Sequence, residues 1–278
     1  MRACKVTFSL VVYEQPLEEL RKALDSLLLY KADKIIYIID NSHTDSAHVF
    51  EQTDQCVEYY HMPNNIGFGK GHNFAIRKAE KAGSEYHFVV NPDIYFNTDI
   101  VTPMIDYMDR NTDVGQMMPK ILYPDGKMQY LPKLMPSPRM LLQRKASKII
   151  PQQHARWMQH FEMRSMRDDR VYEVGHVSGC FSVMRMDAFR KCGIYDERFF
   201  LYFEDTDLTR RIHREYKTLY FPMVSVFHIY GHGASQNPLL FFVFLGSLIK
   251  YFNKWGWFCD KERKDCNRFF LRQLQCHN

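Results

Sequence analysis

The sequence has no hydrophobic run long enough to span a bilayer, and its first residues lack the features of a secretory signal peptide. Residues 1–12 lead into a β-rich segment without a charged start, a long apolar stretch or a small-residue cleavage site. The seven cysteines are an odd number, and none form a C-x-x-C pair. In a chain of 278 residues this pattern is typical of a reduced intracellular protein, so we expect a cytoplasmic location.

Neither basic nor acidic residues are in large excess. The chain has 37 basic and 32 acidic residues and a net charge of +5. This balance argues against a nucleic-acid partner, because such proteins usually carry a strong basic patch. It is compatible with a phosphorylated ligand or an anionic membrane surface.

Strand and helix patterns alternate in the first part of the chain. The apolar, β-rich runs are at residues 5–12, 34–39, 57–61 and 86–90, and helical patterns are at 14–29 and 74–81. Continuous apolar strands in this order predict an α/β protein with a mostly parallel sheet covered on both faces. Side chains at the carboxyl ends of such strands face a ligand crevice, and Asp40 lies at one of these ends.

Two polar segments follow strands at this edge. Residues 63–73 have three glycines at every second position before a helix, which suggests close backbone approach to a ligand or a tight turn. Their spacing fits neither the dinucleotide-binding fingerprint nor the P-loop. Asn91-Pro92-Asp93 follows the strand at 86–90, and the two alternatives are a divalent-metal ligand at Asp93 and an ordinary turn.

The stretch from 196 to 212, DERFFLYFEDTDLTRRI, concentrates aromatic and acidic side chains. The aromatic run leads into Glu204, Asp205 and Asp207, and a helical pattern follows, for which Asp205 or Thr206 is the expected N-cap. A carboxylate against an aromatic wall is partly desolvated, which raises its pKa toward the range of a general base. The alternative is that these acids only cap the helix and favour its dipole.

Two further segments differ in composition from the rest. Residues 130–172 are rich in Met, Gln, Arg and Lys, and we expect either an insertion or lid beside the site or an ordinary solvated helix pair. Residues 239–258 are apolar and aromatic with interleaved lysines. They suit an interfacial helix on a bilayer, or a helix that packs on the domain or on a second subunit of a homodimer. The predicted division is a main domain at 1–235 and a C-terminal helical segment at 236–278.

In their joint order and spacing, these motifs resemble the inverting, non-processive glycosyltransferases of family two, especially rhamnosyltransferase-like members that build bacterial surface polysaccharides. The similarity covers about residues 5–235. The motifs in chain order are D-N-S at 40–42, N-N-I-G-F-G at 64–69 with Asn73, N-P-D at 91–93, S-G-C at 178–180, G-I-Y-D-E-R-F-F at 193–200, E-D-T-D at 204–207 and His228.

The resemblance implies a GT-A fold, in which a nucleotide-sugar half (1–120) is joined to an acceptor half (121–235). It implies that Asp40 contacts the nucleobase, that Asp93 and His228 hold Mn²⁺ or Mg²⁺ with the diphosphate, and that Asp205 is the catalytic base. Asn91 stands at the first position of the family's Asp-x-Asp motif. The other implied donor-side residues are Asn65, Gly67 and Asn73, and the acceptor-side residues are Gly179, Cys180, Glu204 and Asp207.

The implied reaction is a single displacement that inverts the sugar of a UDP- or dTDP-linked donor. The implied acceptor is a glycan of a bacterial surface polysaccharide such as lipopolysaccharide. The aromatic, lysine-containing stretch 239–258 motivates the further hypothesis that the acceptor is a lipid-linked glycan and that the protein contacts the inner face of the cell membrane peripherally. Two rival interpretations are a metal-dependent phosphoesterase that uses the same carboxylates, and a non-catalytic binding or scaffold protein on the same fold.

Overall fold

A computed structural model describes residues 5–146, 151–229 and 238–275. In these ranges the strands are β1 (Val6–Val12), β2 (Lys34–Asp40), β3 (Val57–His61), β4 (Tyr86–Val90), β5 (Ile94–Tyr95), β6 (Val114–Leu122), β7 (Tyr172–Glu173), β8 (Phe181–Arg185) and β9 (Lys217–His228). The helices are α1 (Leu17–Leu27), α2 (Phe68–Lys81), α3 (Val101–Arg110), α4 (Pro138–Ala146), α5 (Pro151–Phe161), α6 (Met186–Cys192), α7 (Glu204–His213), α8 (Pro238–Trp255) and α9 (Lys261–Gln275). A 3-10 helix covers Ser46–Gln52.

The strands of the described ranges form one sheet in the order β3-β2-β1-β4-β8-β6-β9-β5, with β7 paired to β9. The neighbours β3, β2, β1 and β4 are parallel, β8 runs antiparallel to β4 and β6, and β6 is parallel to β9. The parallel α/β arrangement predicted from the apolar strands is confirmed. The register places Val12 opposite Asp40, and Asp40 opposite His61, so the carboxyl ends of these strands meet at one edge.

Helices cover both faces of the sheet. On one face, α1 and α3 pack their apolar sides against residues such as Phe8 and Phe88. On the other, α2, α6 and α7 pack against Ile39 and Val89. Both faces of β1 and β4 are buried, and their polar side chains Thr7, Ser9 and His87 are hydrogen-bonded to one another.

Three predicted boundaries are wrong. Helix α2 begins at Phe68 rather than Phe74 and so contains most of the glycine-rich segment. Helix α7 begins at Glu204, and Phe203 occupies its N-cap position without a side-chain cap, so Asp205 and Thr206 lie inside the helix. The apolar runs at 218–221 and 224–228 predict two short strands, but they form one strand, β9, whose register against β6 shifts between Phe221 and Ser225.

The C-terminal helices pack on the rest of the protein, which was one of the alternatives left open. Tyr251 and Phe252 of α8 are buried against Phe199 and Phe203, and Phe270 of α9 joins the main core. The large apolar side chains that α8 leaves exposed are Leu239, Phe241, Phe242, Leu245 and Ile249. None of the helices in the described ranges has both the length and the hydropathy needed to cross a membrane.

Candidate active site

The predicted metal ligands lie side by side. Strand β5 pairs antiparallel with β9 so that Ile94 is opposite His228, and this register brings the preceding residue, Asp93, to the imidazole. Asp93 Oδ1 is 3.3 Å from His228 Nε2, and Asn91 Nδ2 is 3.4 Å from the same nitrogen. Asn91, at the first position of the Asp-x-Asp motif, therefore contacts His228 as well, although its side chain is an amide and not a carboxylate.

Gln129, which the sequence analysis did not identify, orients His228. Its Nε2 donates to the backbone oxygen of His228 at 2.9 Å, so its Oε1 faces His228 Nδ1 at 3.0 Å and accepts the ring proton. When Nδ1 carries the proton, the lone pair of the ring lies on Nε2, which faces Asp93. Gln129 belongs to no motif. It reaches His228 because the chain turns back after β6, where Gln129 N donates to the backbone oxygen of Ile121 at 2.9 Å.

A carboxylate oxygen and an imidazole nitrogen that converge in this way fit a divalent ion such as Mn²⁺. Within the described residues no third His, Cys, Asp or Glu joins Asp93 and His228. Of the described residues, these two would hold the ion, and oxygens of water or of a bound diphosphate are further ligands of the kind that such an ion takes. Gly231, His232 and Gly233, which follow His228, lie outside the described residues.

The two acids at the start of α7 have different environments. Asp205 is partly exposed, and its oxygens accept from the backbone N–H of Gly179 at 3.3 Å and of Thr206 at 2.7 Å. Glu204 is buried, and its Oε2 has no hydrogen-bond partner in the described part of the chain. Burial, together with the charge of Asp205, raises the pKa of Glu204 to about 8. The aromatic run was expected to desolvate a carboxyl group and raise its pKa. That group is Glu204, whereas Asp205 is partly accessible to solvent.

A strained turn presents these acids. Tyr202 and Phe203 have φ values of 71° and 67°, in the left-handed region that costs a non-glycine residue about 1–3 kcal/mol. Packing offsets this cost, because the ring of Phe203 lies 5.4 Å from Phe244 and 5.3 Å from Tyr251, both on α8. Helix α8 thus supports the turn that positions Asp205.

His176 is a second residue that the sequence analysis missed. Its Nε2 is 3.8 Å from Asp205 Oδ2, and its Nδ1 is 3.1 Å from Thr206 Oγ1. Burial lowers the pKa of the imidazole, so the ring is neutral at pH 7. The available signal was its position two residues before the S-G-C motif.

Residues 178–180 connect Asp205 to Asn91, which lies beside Asp93 and His228. Gly179 N donates to Asp205, and the backbone oxygen of Cys180 accepts from Asn91 N at 2.7 Å. Burial raises the pKa of the Cys180 thiol to about 12, and the charges of Asp93 and Asp205 both add to this effect. The thiol is therefore neutral and unreactive, and this motif contributes its backbone to the site.

A cavity of about 280 Å³ lies beside Asp205. Its polar lining includes Glu204, His176, Ser178 and Lys133. Its apolar lining comes from the aromatic turn, from α8 and from the segment expected beside the site, and consists of Leu131, Leu134, Pro136, Leu141, Phe161, Tyr202, Phe203 and Phe244. The cavity therefore has a polar end at the base and an extended apolar wall.

Asp40 is fully buried at the carboxyl end of β2. Its Oδ1 accepts from Ser42 N at 2.9 Å, and its Oδ2 accepts from the Tyr59 hydroxyl at 2.8 Å. The accessible groups at this strand end are Tyr13 and His43, whose rings are 6.0 Å apart. The expected contact of Asp40 with a nucleobase stays a prediction.

The glycine-rich segment packs closely against other parts of the chain. Gly67 has φ 88°, and a Cβ there would lie 2.6 Å from the backbone oxygen of Phe200. Asn65 Oδ1 accepts from Gly67 N. Asn73 is fully buried and exchanges two hydrogen bonds of 2.9 Å with the backbone of Tyr195. Gly67 and Asn73 thus hold α2 against the stretch that leads to Glu204, and the expected donor contact of Asn65, Gly67 and Asn73 stays a prediction.

Asp207 is also buried rather than facing an acceptor. Its Oδ1 accepts from Trp255 Nε1 at 2.7 Å and from Lys254 Nζ at 2.6 Å, and its Oδ2 accepts from Arg211 Nε at 2.9 Å. The expectation of an acceptor contact is thus corrected, because this carboxylate faces α8.

Arg210 and Arg211 of α7 both form ion pairs within the protein. Arg211 pairs with Asp207 and also donates to backbone oxygens of residues 192–194. Arg210 is buried, forms two hydrogen bonds of 2.6 and 2.8 Å with Asp260, and pairs with Glu262 at 2.6 Å. Both arginines therefore hold the protein together.

Residues 9–193, more than half of the chain, match the model of Glycosyl transferase family 2. The chain is 26% identical over 217 residues to the N-acetylglucosaminyl-diphospho-decaprenol L-rhamnosyltransferase of Mycobacterium tuberculosis, covering 73% of this chain and 69% of that protein. It is 23% identical over 209 residues to the low-salt glycan biosynthesis hexosyltransferase Agl10 of Haloferax volcanii, covering 74% of this chain and 62% of that protein.

Two solved structures share the fold. GalNAc-T7, solved with UDP, GalNAc and Mn²⁺, superposes with a TM-score of 0.61 at 13% identity, over 84% of this chain and 45% of that chain. Residues 1–349 of S. aureus TarS in complex with UDP superpose with a TM-score of 0.59 at 14% identity, over 90% of this chain and 66% of that chain. The chain therefore belongs to glycosyl transferase family 2 and has the GT-A fold that its motifs predicted.

Proposed function

We propose that the protein is an inverting hexosyl- or deoxyhexosyltransferase that moves a sugar from a UDP- or dTDP-linked donor to a hydroxyl of a glycan or lipid-linked glycan, in bacterial surface polysaccharide synthesis. The observation that carries the proposal is the position of residues 178–180, which contact Asp205 on one side and Asn91, beside Asp93 and His228, on the other. The names of the M. tuberculosis and H. volcanii relatives support a glycan product, and the UDP-bound structures support a pyrimidine donor.

The reaction needs a base on the acceptor and charge stabilisation on the leaving group. Asp93 and His228 would hold a divalent ion, which supplies neutralisation of the departing diphosphate. Asp205 Oδ2 takes the proton of the acceptor hydroxyl, whose oxygen bonds to the anomeric carbon while the carbon–diphosphate bond breaks. A single displacement inverts the configuration of the sugar.

The neighbours of Asp205 suit this role. Glu204 holds a proton at pH 7, so it adds no second negative charge beside the base. His176 is neutral and its Nε2 lies near Asp205 Oδ2, where it can receive a hydrogen bond once Asp205 is protonated. The apolar wall of the cavity excludes water from the acceptor side.

We also propose that the protein lies at the inner face of the cell membrane. The exposed side chains of α8, among them Phe242 and Leu245, form an apolar face beside Phe244, which lines the cavity at Asp205. A lipid-linked acceptor would then enter the site directly from the membrane surface.

The first experiment measures thermal stability with UDP, dTDP and GDP, each with Mn²⁺, Mg²⁺ or EDTA. Stabilisation by a pyrimidine diphosphate that requires the metal and is lost in Asp93→Ala is the expected result, since ligands that bind only the native state raise its stability. Asp205→Asn should keep this stabilisation and lose transfer by about 10²–10⁴-fold. Full activity of Asp205→Asn would favour a scaffold role, and hydrolysis of phosphate esters without a sugar donor would favour a phosphoesterase.

A further inference from the structure

A groove of about 600 Å³ adjoins the cavity beside Asp205, which we call the acceptor cavity. Its floor is apolar and includes Leu134, Met140, Trp257, Phe258 and Leu271, from the segment before α4, from α4 itself and from the C-terminal region. Phe258 is 76% exposed, which is unusual for a large aromatic side chain. This floor therefore offers a contact surface for a hydrocarbon chain.

The remaining lining is basic. Arg139, Lys264 and Arg268 line the groove, and within the described ranges it has no carboxylate in its lining. Arg268 pairs with Asp265 at 3.3 Å, but the two side chains are 63% and 50% exposed, so solvent weakens this pair. Arg263 also lines the groove, but it is buried and held by Asp260. An apolar floor with a positive rim is complementary to an anion that carries a hydrocarbon chain.

The groove and the acceptor cavity share one wall. Leu134 lines both, and along the segment that follows, Pro136 and Leu141 line the cavity while residues 137–140 line the groove. One elongated molecule can therefore present a glycan to Asp205 and an amphipathic anion to the groove.

We propose that this groove binds the prenyl phosphate end of a lipid-linked acceptor, with the phosphate at Arg139, Lys264 and Arg268 and the chain on the apolar floor. The inference rests on the proposed glycosyltransferase function and narrows its acceptor class. It also gives the segment 130–172 and helix α9 a common role in acceptor binding.

The test measures binding of geranylgeranyl monophosphate to the full chain by calorimetry, without donor or metal. The double charge reversal Arg139→Glu/Lys264→Glu should weaken binding at least about tenfold, because it replaces two cations that would bind the phosphate with two anions that repel it. The control Lys81→Glu/Arg110→Glu makes the same change of charge at exposed positions on α2 and α3 and should bind as the wild type does. Phe258→Ala should weaken binding of both geranylgeranyl monophosphate and the corresponding alcohol, geranylgeraniol.

Equal affinities for the monophosphate in the two double variants would overturn the proposal, as would equal affinities of the wild type for the monophosphate and the alcohol. If the groove reversal weakens binding to phosphatidylglycerol vesicles but not to the monophosphate, the groove contacts membrane headgroups and the proposal is also overturned. Because binding is measured without donor, these outcomes are separate from failure of the proposed function, which would appear as a wild type that binds no sugar nucleotide.

Discussion

Trp255 Nε1 donates a hydrogen bond to Asp207 Oδ1, and this contact joins the last turn of α8 to the first turns of the helix that carries Asp205. Lys254 and Arg211 complete the coordination of the same buried carboxylate. Three partners stabilise this buried carboxylate, whereas removal of its charge leaves Arg211 without its carboxylate partner and Lys254 with only Asp196. The two helices are therefore energetically coupled.

Asp207→Asn should lower the free energy of unfolding by about 3–5 kcal/mol, because it breaks a buried ionic network. Denaturant unfolding followed by circular dichroism measures this change. Asp125→Asn is the matched control, since Asp125 pairs with Lys127 at the surface and its loss should cost less than about 1 kcal/mol. Equal stability of the two variants would show that the Asp207 network contributes nothing.

Glu204 should make the protein less stable as pH rises. Its pKa is about 8 in the folded state and near 4.5 when unfolded, so between these values the unfolded chain releases a proton that the folded chain retains. The resulting loss of stability approaches about 1.4 kcal/mol per pH unit, is absent below pH 4.5 and is complete above pH 8. Glu204→Gln should lack this loss.

Unfolding free energies of wild type and Glu204→Gln, measured from pH 4.5 to 9, test the prediction. The difference between them should grow in favour of the variant up to pH 8 and then level off. A constant difference across this range would mean that Glu204 is ionised in the folded protein.

Gln129→Leu should weaken the binding of Mn²⁺ by about 10–100-fold, because loss of an outer-shell hydrogen bond lets the His228 ring change its orientation and tautomer. Titration of Mn²⁺ in the presence of UDP measures the affinity. Gln273→Leu is the control, since Gln273 bonds the backbone of Glu173 at β7. Unchanged affinity in Gln129→Leu would exclude His228 as a ligand oriented by Gln129.

Phe242→Ser/Leu245→Ser should reduce co-sedimentation with phosphatidylglycerol vesicles several-fold while leaving the fold intact, because both side chains are exposed on α8. Val49→Ser/Met223→Ser removes exposed apolar side chains elsewhere and serves as the control. These variants are sharper than deletion of α8, which would also remove the packing of Tyr251 and Phe252. Equal sedimentation of both variants would exclude α8 as the membrane contact.

Local patterns predicted the parts of the molecule that local physics determines. Continuous apolar runs fixed β1 to β4 within a residue or so, and the ends of parallel strands placed Asp40 at one edge. The start of α2 was missed because glycine disfavours helices on average, whereas Gly69 and Gly71 allow close packing against Tyr195 and Val11. A pattern within one segment contains no information on such neighbours.

Long-range pairs account for the remaining errors in the site. Arg210 and Asp260 are separated by fifty residues, and nothing near either one indicates the other. The same holds for Asp207 with Trp255 and for His228 with Gln129. A charged residue near a catalytic motif therefore has an ambiguous role until its partners are known.

The burial of Arg210 has a consequence for how this enzyme can evolve. The family match ends at residue 193, yet Asp205, His228 and the acidic partners of Arg210 in the C-terminal region all lie beyond it. Transfer of only the matched segment would deliver neither Asp205 nor β9, which pairs with β5 and β6 in the sheet. The unit that contains both the site and the elements that support it is therefore the whole stretch from β1 to α9.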